Sequence, residues 1–83
     1  MKQVLYFSAG WCSACQTTTP AVDQLKKVGK NQVAKFDTDY DVSYVEEYKI
    51  KSVPTIVILE NGNEIKRHSG ALNYEQLNKL VNG

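Results

Sequence analysis

The segment Thr55-Ile56-Val57-Ile58-Leu59-Glu60-Asn61-Gly62 leaves the chain little conformational choice. Five β-branched or apolar residues favour an extended strand packed against neighbours. Asn61-Gly62 directly beyond it is the strongest short-range signal for a two-residue hairpin turn, since both residues tolerate positive φ. A strand and an antiparallel partner over Glu64 to His68 are therefore expected, and the remaining residues must complete a sheet around them. Gln3 to Phe7 is a second short apolar run without alternation, as a strand buried on both faces requires, and Val33 to Asp37 reads as a further short strand.

Helical patterns separate these strands. Cys15, Thr18, Val22 and Leu25 recur at three- and four-residue steps, and Gly29 follows as a C-cap. Lys26, Lys27 and Lys30 lie toward that end, where cations complement the helix dipole. Ser43-Tyr44-Val45-Glu46 has capping-box spacing for a short helix ending near Tyr48. Asn73 caps a last helix with Tyr74, Leu77, Leu80 and Val81 on one face. The order β-α-β-α-β-β-α predicts an α/β fold with a mixed four-stranded sheet flanked by helices. In this reading the first strands are parallel and the hairpin's last strand is antiparallel.

With 83 residues there is room for one core, so a single domain over residues 1–83 is expected. A formal charge of +1, with lysines dispersed among acids, supplies no footprint for nucleic acid. No apolar run is long enough for a bilayer. Val4-Leu5-Tyr6-Phe7 is too short and too poorly flanked for a signal peptide, so a reducing cytoplasm is the expected compartment.

Both cysteines stand in Gly10-Trp11-Cys12-Ser13-Ala14-Cys15, two residues apart. A structural staple fits poorly, because such a bridge closes too small a loop and cytoplasmic staples are rare. A closed zinc site needs four ligands, and one chain offers two thiols and His68, which reads as a strand-end side chain; no metal is expected. Asp37-Thr38-Asp39-Tyr40-Asp41 begins like a calcium loop but has Val42 where glycine and Tyr48 where glutamate would stand, so it reads as a polar loop. Redox chemistry remains. If a helix begins near Cys12, both sulfurs share one face, and the unpaired first-turn amides point at the leading sulfur. A dipole contribution of about 0.3 to 2 kcal/mol lowers the thiol pKa and enlarges the thiolate fraction at neutral pH. Cys12 is then the nucleophile, and Cys15, one turn further in and better shielded, resolves the mixed disulfide.

Several separated features together resemble the thioredoxin family: Trp11-Cys12-x-x-Cys15, Pro20, Lys35, Val53-Pro54-Thr55, Asn61-Gly62 and Gly70-Ala71-Leu72, covering Val4 to Val81. The resemblance implies a minimal thioredoxin fold that begins after the family's first strand and helix, with edge exposure near the N-terminal strand. It implies a helix continuing through Pro20, although Thr19 capping a helix from Pro20 is the alternative on periodicity. It implies a cis Val53-Pro54 bond beside Cys12, and a substrate groove bordered by Trp11, Val53, Pro54 and Gly70. Simple packing of Trp11 on the helix is compatible with that role. The family usually carries a buried aspartate six residues before the first cysteine; Tyr6 stands there, which makes Tyr6 and Lys35 the candidates for support and proton transfer. The implied activity is reduction of protein disulfides without a bound cofactor, by a monomer taking electrons from thioredoxin reductase with NADPH. Implied substrates include the disulfides left by ribonucleotide reductase or peroxide-scavenging enzymes. A glutathione-dependent, glutaredoxin-like reductase and a non-catalytic thioredoxin-fold subunit are the rival readings.

Overall fold

The computed structural model describes residues 2–83. Along the chain run β1 (Lys2–Ser8), α1 (Cys15–Val28), β2 (Gln32–Asp37), α2 (Val42–Glu47), β3 (Thr55–Glu60), β4 (Asn63–Ser69) and α3 (Tyr74–Asn82). The strands form one mixed sheet in the order β2-β1-β3-β4. β1 therefore lies inside the sheet, and the exposed edges are β2 and β4 rather than the N-terminal strand.

β1 pairs in parallel with β2, Phe7 opposite Phe36, and antiparallel with β3, Phe7 opposite Thr55. The change of sense thus arrives at β3, one strand earlier than the hairpin alone indicates. The connection through α2 brings the chain back to the end of the sheet at which β2 stops, so β3 starts there and runs back. Ser8, Asp37 and Thr55 are consequently gathered at one end of the sheet.

Alternation of side chains along β1 explains why its sequence does not alternate. Val4 and Tyr6 join Ala21, Val22 and Leu25 of α1, Ile56 and Ile58 of β3, and Leu77 and Val81 of α3 in the main core. Leu5 and Phe7 point the other way, against Val57, Leu59, Phe36, Val45 and Tyr48 beside α2. Both faces are covered, so both sets are apolar.

The local signals are met with small differences. Asn61 (φ 53°) and Gly62 (φ 84°) make the two-residue hairpin turn, and Gly29 (φ 81°) ends α1 in the left-handed conformation. α1 runs continuously through Pro20, so Thr19 does not cap a separate helix. Asn73 Oδ1 accepts from the Gln76 N–H at 2.8 Å and Gln76 Oε1 from the Asn73 N–H at 3.0 Å, a reciprocal cap on α3. The expected cap at Ser43 is not formed. α2 starts at Val42 after Asp41, whose carboxylate turns back to accept from the Asp37 N–H at 2.8 Å, while its carbonyl accepts from Tyr44 and Val45. That polar turn already delivers the chain into helical geometry before Ser43 is reached. Among the described residues no helix is long and apolar enough to cross a membrane.

Candidate active site

The end of the sheet where Ser8, Asp37 and Thr55 meet also carries the segment Ala9–Ala14, which leaves β1 and turns into α1. The Cys12 N–H donates to the Ala9 carbonyl at 3.1 Å. Gln16 and Thr17 N–H groups reach Ser13 and Ala14 carbonyls at 3.1 and 3.3 Å, so a tight turn precedes the regular helix from Cys15. α1 therefore begins three residues later than Cys12, yet its first free amide still finds that residue. The Cys15 N–H donates to Cys12 Sγ at 3.1 Å. Cys12 occupies the place of a capping side chain, and no acidic residue in the first turn competes with it.

A disulfide joins Cys12 and Cys15, whose Cα atoms are 5.3 Å apart. Both residues are buried with Ala9, Cys12 at 7% exposure and Cys15 at 4%, and Val53 packs against the three. Enclosure hardly distinguishes the sulfurs. The expected difference in shielding is present but small, and hydrogen bonding adds to it: among the described residues, of the two sulfurs only that of Cys12 accepts an amide.

Val53-Pro54 is cis. The Pro54 carbonyl accepts from the Gly70 N–H at 2.9 Å, with Gly70 at φ 111°, a conformation that excludes most side chains. Val53 packs on the cysteines, and this bond ties Gly70 to the neighbouring Pro54. Trp11 is 71% exposed rather than packed on the helix, and its Nε1 donates to Asp39 Oδ2 at 3.1 Å. The indole forms one wall of a cavity of about 140 Å³ whose other walls include Val45, Ile50 and Val53. Asp39 was not singled out from sequence, where it stands among four other residues of an acidic turn; only the fold returns that turn to Trp11.

Tyr6 lies beneath the cysteines with no exposed surface. Its hydroxyl shares a hydrogen bond with Thr19 Oγ1 at 2.8 Å and donates to the Cys15 carbonyl at 3.4 Å. Burial pushes the phenol pKa above its ordinary value, and the bond to Thr19 opposes that only in part. A neutral hydroxyl therefore stands in the core at this position. Lys35 pairs in register with Tyr6 but sends its amine outward to Asp23 Oδ1, 2.7 Å away, in a solvent-exposed ion pair. It is not brought to the sulfurs. Thr18, fully buried, accepts from the Leu72 N–H at 3.1 Å and donates to the Ala14 carbonyl at 3.3 Å, tying the first turn of α1 to the segment after Gly70.

The family model described as Thioredoxin matches residues 1–83. A thioredoxin H-type from Fagopyrum esculentum is 40% identical over 79 residues, which are 94% of this chain and 68% of that protein. A chloroplastic thioredoxin Y from Oryza sativa subsp. japonica is 40% identical over 73 residues, and there the chain spans 86% of itself but less than half, 44%, of the relative. Among solved structures a mutant thioredoxin from Halobacterium salinarum superposes with a TM-score of 0.89 at 29% identity, over 96% of this chain and 71% of that one. Sequence, backbone and the paired cysteines agree, and the chain belongs to the thioredoxin family of thiol–disulfide oxidoreductases, working through its C-x-x-C pair.

Proposed function

We propose that residues 1–83 act as one monomeric protein-disulfide reductase in which Cys12 attacks and Cys15 resolves. The observation that carries this reading is the Cys15 N–H directed at Cys12 Sγ. In the reduced protein the same amide donates to a thiolate, and a bond to an ionised acceptor is roughly twice as strong as one to a neutral acceptor. The Cys12 thiolate attacks a substrate disulfide, forming a mixed disulfide and expelling one substrate thiolate. The Cys15 thiolate then attacks Cys12 Sγ and expels the second. The substrate gains two electrons, the protein is left with the Cys12–Cys15 disulfide, and solvent protonates the released thiolates.

Trp11, Val53, Pro54 and Gly70 supply the groove in which an extended substrate segment lies beside Cys12. Tyr6 supports Cys15 through its carbonyl, and Lys35 contributes a cation near Tyr6 without reaching the sulfurs. The exchange needs no cofactor in this chain. Thioredoxin reductase with NADPH returns the electrons, and Trp11 before Cys12 favours that donor over glutathione. A dithiol reductant operates where thiols are kept reduced, and the cytoplasm is the compartment that fits.

A Cys15→Ser variant incubated with oxidised insulin should accumulate a covalent adduct on a non-reducing gel that dithiothreitol removes, while Cys12→Ser should form none. An adduct from Cys12→Ser alone reverses the roles, and none from either variant overturns the dithiol mechanism. Insulin reduction driven by thioredoxin reductase and NADPH, compared with the same reaction driven by glutathione, separates the two electron donors.

A further inference from the structure

Lysines are dispersed along the sequence, yet the fold gathers three cations around a cavity next to the Ser52-Val53 segment. A cavity of about 420 Å³ is lined by Lys49, Lys51, Arg67, Ser52, Thr55 and Ser69. No acidic side chain lines it. Arg67 comes from β4, and its guanidinium is largely committed: it grips both carboxylate oxygens of Glu64 at 2.8 Å and donates to the Tyr48 and Lys49 carbonyls at 2.7 and 3.4 Å. Glu64 thereby balances Arg67, and the shared hydrogen bonds hold the Glu64 carboxyl below its ordinary pKa. Among the described residues Lys49 and Lys51 have no ion-pair partner. They are the uncompensated charges of the cavity.

The loop that presents them is held in place. Lys49 sits at φ 54°, in the left-handed region that non-glycine residues rarely adopt, and the Arg67 bonds to Tyr48 and Lys49 carbonyls fasten it there. Thr55 Oγ1 donates to the Ser52 carbonyl at 2.7 Å and lies 3.4 Å from Ser69 Oγ, closing the other side with hydroxyls. Lys51 and Ser52 also line the apolar cavity shared by Trp11 and Val53, and Val53 packs on Cys12 and Cys15. A polypeptide lying along Ser52 and Val53 with its cystine at Cys12 therefore runs past Lys51, which lines both cavities, and Lys49 lines the adjoining one.

We infer that this cavity is an anion subsite that takes the carboxylate of an acidic side chain flanking the disulfide of a polypeptide substrate, an inference resting on the dithiol reading above. Lys49 and Lys51 supply the charge and Ser52 and Ser69 the hydroxyl donors, while Arg67 positions the loop. Selection then acts on encounter and binding rather than on the sulfur exchange, as expected of solvent-exposed charges.

Two peptides with the same disulfide, one carrying Glu two residues from the cystine and the other Gln, test the subsite against the reduced protein. At low ionic strength kcat/KM should be about fivefold higher for the acidic peptide, the upper end for exposed charge pairs. About 1 M salt, which shortens the screening length to roughly 3 Å, should abolish the ratio. The Lys49→Gln, Lys51→Gln double variant should bring the ratio close to one. Equal rates on both peptides with the wild-type protein, or a ratio that survives in the double variant, overturns the subsite. Oxidised glutathione carries carboxylates of its own: faster reduction of it than of the acidic peptide, lost in the double variant, overturns the polypeptide as occupant in favour of the small peptide. If neither peptide is reduced, the dithiol reading fails together with the subsite built on it.

Discussion

Tyr6 carries a hydroxyl into a region with no exposed surface, so its place depends on its hydrogen bonds with the Thr19 hydroxyl and the Cys15 carbonyl. Tyr6→Phe keeps the ring and removes those bonds, leaving the Thr19 hydroxyl short of a partner. Urea unfolding at neutral pH should show a loss of about 1 to 2 kcal/mol. The pH dependence has a definite sign. Burial raises the folded-state pKa of the phenol, so its contribution is fully present below the unfolded value near 10 and is lost as pH climbs toward the higher folded value. The wild-type protein should therefore lose stability above about pH 10 more steeply than Tyr6→Phe. Tyr48, whose phenol is also raised by desolvation first, keeps some slope in both. Parallel decline of the two proteins across that range would remove Tyr6 from this account.

At the scale of elements, α3 shows most directly how a local signal supports a long-range face. Its nine residues are too few to be stable as an isolated helix, so the cap and the packing have to act together. Asn73 and Gln76 satisfy each other's backbone N–H groups, and the helix they start places Leu77 and Val81 in the main core. Asn73→Ala should cost about 1 kcal/mol. For a domain of this size that lowers the melting temperature by roughly 4 to 8 °C, measurable by circular dichroism. An unchanged melting temperature would mean that core contacts alone hold α3 in place.

Across the whole molecule the two faces of the sheet are unequally covered. α1 and α3 close one face over Val4, Tyr6, Ile56 and Ile58, while the other receives α2, a six-residue helix with no buried residue, and the aromatic group of Phe7, Phe36 and Tyr44. Stability should be distributed accordingly, since few buried contacts permit local opening. In native-state hydrogen exchange the amides of Val42–Glu47 should exchange roughly a hundredfold faster than those of the central strands β1 and β3. Comparable protection of α2 and β1 would show that the sheet and both its faces open as one unit. Trp11, Lys51 and Val53 line a cavity with Val45 of α2, which places the proposed substrate contacts beside that helix.

Much of this protein was legible in its residues because the relevant forces act over a few positions. Asn61-Gly62 tolerates the φ values its turn requires, Gly29 and Asn73 end and begin their helices through bonds to neighbours, and apolar spacing marks the faces of α1 and α3. Cys12 and Cys15 are close enough in sequence that one turn of backbone brings them together. The failures lie where a neighbouring turn acts first or where a partner is distant. Ser43 had the spacing of a cap, but the Asp37–Asp41 turn had already started α2. The sense of β3 followed from the return of the chain to the end of the sheet at which β2 stops. Asp39 meets Trp11, Thr18 meets Leu72, and Arg67 fastens the loop of Lys49 only because strand order returns those segments to one end of the sheet. Local hydrogen bonding and hydrophobic period thus determined the elements and the reactive pair, whereas the surroundings of that pair depended on which chain ends the sheet brought side by side, a choice made by burial of both faces at once.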